Sequence, residues 1–138
     1  MTDGRDTRHS WAARLGQAAG WLLVAAGLAH AFAGWPPLRA TLKAGGVDSD
    51  VIAALGAGWL FGSAAMLAFG AALVSMARDV RRGASGSTAP AWAIAAALAG
   101  FGFAAWVLRD FNPHFLGFMA MGALVAGFAA AARRGRTG

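Results

Sequence analysis

The sequence predicts an all-α fold, an integral membrane four-helix bundle with both termini cytoplasmic. Three observations carry this expectation. Hydrophobic residues make up 58% of the 138 and charged residues only 13%, more apolar surface than one small water-soluble core can hide. Four runs, 15–35, 51–77, 90–108 and 114–132, contain no Asp, Glu, Lys or Arg, and each is near the roughly 20 residues that cross a bilayer at about 1.5 Å per residue. The basic residues flank these runs unevenly: Arg5, Arg8, Arg14, Arg78, Arg81, Arg82, Arg133, Arg134 and Arg136 lie on the N-terminus, middle loop and C-terminus, and Arg39, Lys43 and Arg109 on the other two loops. That bias is the positive-inside pattern, which sets both termini in the cytoplasm. A transmembrane barrel would alternate apolar and polar residues in segments of about ten, whereas these runs are continuously apolar.

Residues 1–14 mix Asp, Arg, Thr and Ser without an apolar period and read as a polar basic tail, mobile or interfacial. The stretch "AFA" before Gly34 imitates a secretory cleavage site, but the run in front of it is long enough to remain as a mature span. The first span is expected to end at Trp35-Pro36-Pro37, because a proline disfavours helical geometry in the residue before it. The loop "LRATLKAGGVDSD" then offers Gly45-Gly46 as a breaker and Asp48, Ser49 and Asp50 as N-caps for the second span. Pro90 suits the first turn of the third. Asn112 caps and Pro113 begins the fourth, after which 133–138 form a basic tail. The spans and their connections make one domain over 15–132.

Small residues suggest where helices approach each other. Gly16 and Gly20, with Gly27 one heptad on, and the pair Gly58 and Gly62 are small-xxx-small spacings. In lipid such faces let backbones come close, within one bundle or between copies. The expected partners are therefore the lipid bilayer and a homo-oligomer or larger membrane complex. The net charge of +6 flanks apolar spans and sets topology, so nucleic acid is not expected.

The chemical inventory is thin, with no Cys, Glu or Tyr. His30 stands out inside the first span, five residues before Trp35 and so roughly 7 Å below the outer interface by helix rise. His114 starts the fourth span on the same side. Arg109, Asp110 and Asn112 lie in the adjoining turn. Trp59 and Ser63 share a face of the second span, with the indole directed toward His30 or a ligand. Together these seven residues outline a small polar pocket near the outer leaflet.

An ionisable side chain within a span is by default a functional candidate, and His30 with His114 is the minimum for a bis-His haem b or metal site. The alternative for His30 is a hydrogen-bonding contact within or between helices, for His114 an interfacial side chain, and for Trp59 a packed aromatic covering Gly58 and Gly62. No HExxH or Glu-x-x-His pattern is present.

The residues "GLAH", "WLFGS" and "NPHFLGF" resemble those of small bacterial four-helix inner-membrane proteins of unassigned function, loosely DoxX-like in layout. The resemblance rests on Gly-x-x-His in the first span and Trp-x-x-Gly-Ser in the second. Relatives of this type carry a histidine directly after that tryptophan, where this sequence has Leu60, so the resemblance implies topology rather than a metal or haem site. The expected role is a non-enzymatic binding or accessory subunit. Two other classes compete: a redox protein holding haem b or a metal through His30 and His114, and a small oligomeric transporter.

Overall fold

A computed structural model of the chain describes residues 3–84 and 86–134, the first seven of these as backbone only. The order is α1 (Asp3–Ala29), a π-turn (His30–Gly34), α2 (Trp35–Ala44), α3 (Ser49–Arg81), α4 (Ala89–Leu108), a 3-10 turn (Pro113–Phe115) and α5 (Leu116–Arg134). No strand occurs among the described residues. Four helical stretches, Ser10–Ala44, Ser49–Arg81, Ala89–Leu108 and Pro113–Arg134, are long and apolar enough to cross a membrane. In that solvent the backbone must satisfy its own polar groups, which is why continuously apolar runs become helices.

Two boundaries differ from the sequence reading. The N-terminal segment is not a separate tail: α1 begins at Asp3, and Ala12 and Ala13 are already buried, so packing extends the helix back past residue 15. Residues 1–2 and 135–138 of the two expected tails lie outside the described residues, while Arg133 and Arg134 form the last turn of α5.

Nor does Trp35-Pro36-Pro37 end the first span. Prolines at 36 and 37 withdraw the N–H groups that the carbonyls of Phe32 and Ala33 would use in a regular helix. The π-turn immediately before them absorbs that mismatch, and the prolines occupy the first turn of α2, where a missing N–H is tolerated. Trp35 keeps helical angles, φ −67° and ψ −46°, against the local preference of a residue before proline. What was expected to be a 15-residue loop is mostly helix, and only residues 45–48 connect α2 to α3.

The chain forms two compact units, Gly20–Ala72 and the remainder, Met1–Ala19 with Leu73–Gly138. In the first, the second half of α1, the π-turn and α2 pack against α3. Within it the inward side of α3 runs through Ile52, Gly56, Trp59, Ser63, Met66 and Gly70, all buried except half-buried Trp59. These positions alternate steps of four and three, the 3.5-residue period of a knobs-into-holes seam. α1 answers with Gly20, Leu23, Gly27 and His30. A Cβ on Gly70 would lie 2.6 Å from the Gly20 carbonyl oxygen, and one on Gly27 would lie 3.0 Å from that of Ser63, so the two backbones touch.

Gly58 corrects the expected Gly58/Gly62 seam. It is exposed, and a Cβ there would meet nothing within 4 Å, because residue 58 lies one position off the α3 period. Gly62 borders the His30 ring, at 3.9 Å.

In the second unit α4 and α5 form a hairpin in which Gly122 meets the Ala95 carbonyl and Gly102 meets Met119. Phe128 is the largest fully buried side chain, seated on Gly16. The ends of α2, α3 and α4 share one terminator. In each, the residue after the cap is left-handed, at Gly46 (φ 71°), Gly83 (φ 73°) and Asp110 (φ 52°). The next N–H reaches back five residues: Val47 to the Leu42 carbonyl, Ala84 to Asp79 and Phe111 to Trp106. This is the Schellman pattern. At the third the accompanying apolar contact is the Phe111 ring against Trp106, edge-on at 4.9 Å.

Candidate functional site

The unit 20–72 brings together His30, Trp59 and Ser63. His30 is the first residue of the π-turn. Its imidazole lies flat against the Trp59 indole, with ring centroids 4.0 Å apart and planes within 7°. The indole N–H of Trp59 donates to the His30 backbone carbonyl at 2.6 Å, so the indole grips both the ring and the main chain of the same residue.

Ser63 completes the cluster and is only 3% exposed. Its hydroxyl donates to the Trp59 carbonyl one turn back at 3.0 Å, and its oxygen lies 2.9 Å from His30 Nδ1. A serine hydroxyl has a single hydrogen. With that hydrogen committed to the Trp59 carbonyl, Ser63 Oγ accepts from His30 Nδ1–H. In that arrangement the imidazole is the Nδ1–H tautomer, with Nε2 as its acceptor nitrogen. Among the described residues no buried side-chain polar atom lacks a hydrogen bond.

Two interlocked tryptophans frame the cluster. The Trp59 indole lies on Gly34, where a Cβ would come within 2.8 Å of Cζ2, and the Trp35 indole lies on Gly56, where a Cβ would come within 2.6 Å. The two indoles contact each other at 6.1 Å, tilted by 38°. Trp59 therefore covers Gly34 of the facing segment, where the packing alternative had placed Gly58 and Gly62 of its own helix. Trp35, Gly34 and Gly56 were not singled out as site residues in the sequence. The 3.5-residue period of α3 is the signal that pairs Gly56 with Trp59 on one side.

Arg109, Asp110, Asn112 and His114 belong to the other unit, where they make the turn between α4 and α5. All four are exposed. The Asn112 side chain accepts from the His114 backbone N–H at 3.0 Å and so caps the 3-10 turn that Pro113 begins. The His114 ring stands edge-on to Phe115 at 5.5 Å. Among the described residues no three His, Cys, Asp or Glu side chains gather into a group that could hold a metal ion.

The chemistry available at His30 is that of a positioned imidazole: hydrogen bonding through a defined tautomer, or ligation of a metal through Nε2. Trp59 contributes an indole N–H donor and Ser63 a single hydroxyl. Comparison of the chain with family models, with characterised proteins and with solved structures finds no match.

Proposed function

We propose that the chain is a non-enzymatic binding or accessory subunit of a membrane, with the His30, Trp59 and Ser63 cluster as its recognition element. The observation that carries this reading is the fixed imidazole: stacking and two hydrogen bonds hold one polar residue in one orientation at an irregular turn of an apolar span. Preorganisation of this kind favours recognition, because the side chains lose little further freedom on binding. Beside the cluster, Phe32 and Phe61 are 77% and 76% exposed and offer aromatic contact to lipid or to a neighbouring helix.

The same proposal places the chain in a bacterial inner membrane with both termini cytoplasmic, on the distribution of nine basic residues against three across its loops. The DoxX-like layout belongs to this reading. Because the chain has no cysteine, single reporters can be introduced cleanly. Ser87→Cys should resist an impermeant maleimide in intact cells and Thr41→Cys should react. The reverse pattern would invert the topology.

One observation favours a second reading. An Nδ1–H bond to a hydroxyl is also how a metal-ligating histidine is oriented for coordination through Nε2, which suits haem b or a metal at His30. An oxidised and reduced absorption spectrum of the purified protein, with metal analysis, separates the two. The binding reading expects neither a Soret band nor stoichiometric metal. Either one, if lost in His30→Ala, would replace it with the redox reading.

A further inference from the structure

We propose that Arg39 and Lys43 of α2 form a binding site for the phosphate of an anionic phospholipid. The inference rests on the helix that the two prolines were expected to prevent, and it is independent of the His30 cluster. α2 is amphipathic: Trp35, Leu38 and Leu42 are half-buried, while Arg39 and Lys43 are exposed. Four residues separate the two cations, so their side chains neighbour each other on the helix surface.

The platform beneath them is rigid. The Thr41 hydroxyl donates to the Pro37 carbonyl at 3.0 Å. The helix end is closed by Gly46 N–H to the Lys43 carbonyl and Val47 N–H to the Leu42 carbonyl, both at 3.1 Å. α2 contains no acidic residue. The first acidic residue after it, Asp48, directs Oδ1 to the backbone N–H of Asp50 at 2.8 Å, where it starts α3.

Depth along the chain sets the chemistry of the partner. Arg39 lies 25 helical steps after Arg14, and the 24 residues between them include no Asp, Glu, Lys or Arg. At helical rise that is about 37 Å, against roughly 30 Å of hydrocarbon and 40–45 Å with headgroups. A helix with Arg14 in one headgroup layer therefore carries Arg39 into the opposite one. Trp35, one turn before Arg39, suits the interface below it.

At that level the abundant anion is lipid phosphate, and a guanidinium can bind two of its oxygens at once. Lys43, one turn further out, adds a second positive charge. Two cations on a helix without a carboxylate favour a headgroup with net negative charge over a zwitterionic one, whose ammonium they repel.

The test uses the full chain with Ala40→Cys, an exposed α2 position, carrying a photoactivatable maleimide. It is reconstituted in vesicles of roughly one part phosphatidylglycerol to three parts phosphatidylcholine. After irradiation, mass spectrometry counts lipid adducts at that cysteine. The ratio of phosphatidylglycerol to phosphatidylcholine adducts should exceed the ratio set by their shares of the bilayer by about fivefold or more, as expected for one surface charge or two. Arg39→Gln with Lys43→Gln should return it to the ratio set by those shares, with helicity unchanged. Adducts in bulk proportion in the parent chain, or enrichment that survives the double substitution, would overturn the proposal.

Discussion

Gly34→Ala tests the cluster without touching any of its polar groups. The added Cβ would lie 2.8 Å from Trp59 Cζ2 and 3.5 Å from Cε2, where carbon atoms prefer about 3.5–4.0 Å. The indole must retreat by roughly 0.7–1.2 Å. It is held by its N–H bond to the His30 carbonyl at 2.6 Å and by the His30 stack at 4.0 Å, so retreat weakens both. Overpacking costs about 1–3 kcal/mol, an interhelical hydrogen bond in a membrane contributes about 0.6 kcal/mol on average, and a stacked ring pair adds about 0.5–1.5 kcal/mol. Gly34 has φ −84° and ψ −47°, so alanine fits its backbone and returns up to about 1 kcal/mol of helix propensity. The net expectation is a loss of about 1–3 kcal/mol. Unfolding in mixed micelles with increasing SDS, followed by far-ultraviolet circular dichroism, measures it. In a Trp59→Leu background the loss should vanish or reverse, because the ring it meets is gone. A neutral Gly34→Ala in the native chain, or an equal loss in both backgrounds, would refute the argument that Trp59 is the obstacle.

Ser63→Ala should cost about 1 kcal/mol and move the His30 proton from Nδ1 toward Nε2, visible in the imidazole nitrogen shifts; unchanged shifts would show that Ser63 does not set the tautomer. Gly58→Ala should be neutral or slightly stabilising, since a Cβ there meets nothing within 4 Å. Gly70→Ala should destabilise by 2 kcal/mol or more on the scale of core overpacking, about 1–3 kcal/mol and occasionally higher, because the Gly20 carbonyl it meets at 2.6 Å is backbone; equal unfolding midpoints for the two would contradict the α3 seam. Asp110→Gly should stabilise by about 1 kcal/mol, because a non-glycine residue at φ 52° carries a left-handed penalty that glycine lacks; a lower midpoint would mean that the Asp110 side chain contributes more than its backbone strain removes.

The apolar runs revealed the four spans because lipid admits few backbone solutions, and a continuous uncharged run selects the helix. Their ends were less legible. Pro36 and Pro37 carry a local signal that stops a helix in isolation, and here a tertiary arrangement overrides it: Trp35 seated on Gly56, and Trp59 bonded to the His30 carbonyl. Those contacts join residues 20 to 30 positions apart, beyond the reach of any window along the chain. The glycine pairs show the same limit. Gly16 and Gly20 fall on the α1 seam and Gly58 misses the α3 seam, although both pairs have identical spacing. Only the full period of α3, through Ile52, Gly56, Trp59 and Ser63, distinguishes them. Asp110 was legible as a turn residue but not as a helix terminator, since the pattern that marks such ends is glycine, which this chain uses at the other two.

His30 stands six residues before Pro36, at the first position of the π-turn. Prolines at 36 and 37 deprive nearby carbonyls of helical donors, and the π-turn redistributes the remaining N–H groups. Trp59 brings one further donor from α3 to the His30 carbonyl. An aliphatic residue at position 30 would preserve that carbonyl and its bond to the indole. It would forfeit the bond to Ser63 and leave Ser63 Oγ with no N–H to accept. The imidazole therefore adds directional polarity to a turn that the backbone and the tryptophan already hold. This separation gives substitutions at His30 their diagnostic value. His30→Ala should remove recognition, or ligation, while the π-turn and the α1–α3 contact persist, whereas Trp59→Leu should loosen the turn itself. If His30→Ala were instead to melt the helices as readily as Trp59→Leu, the imidazole would be a structural tie and the binding reading would lose its main support.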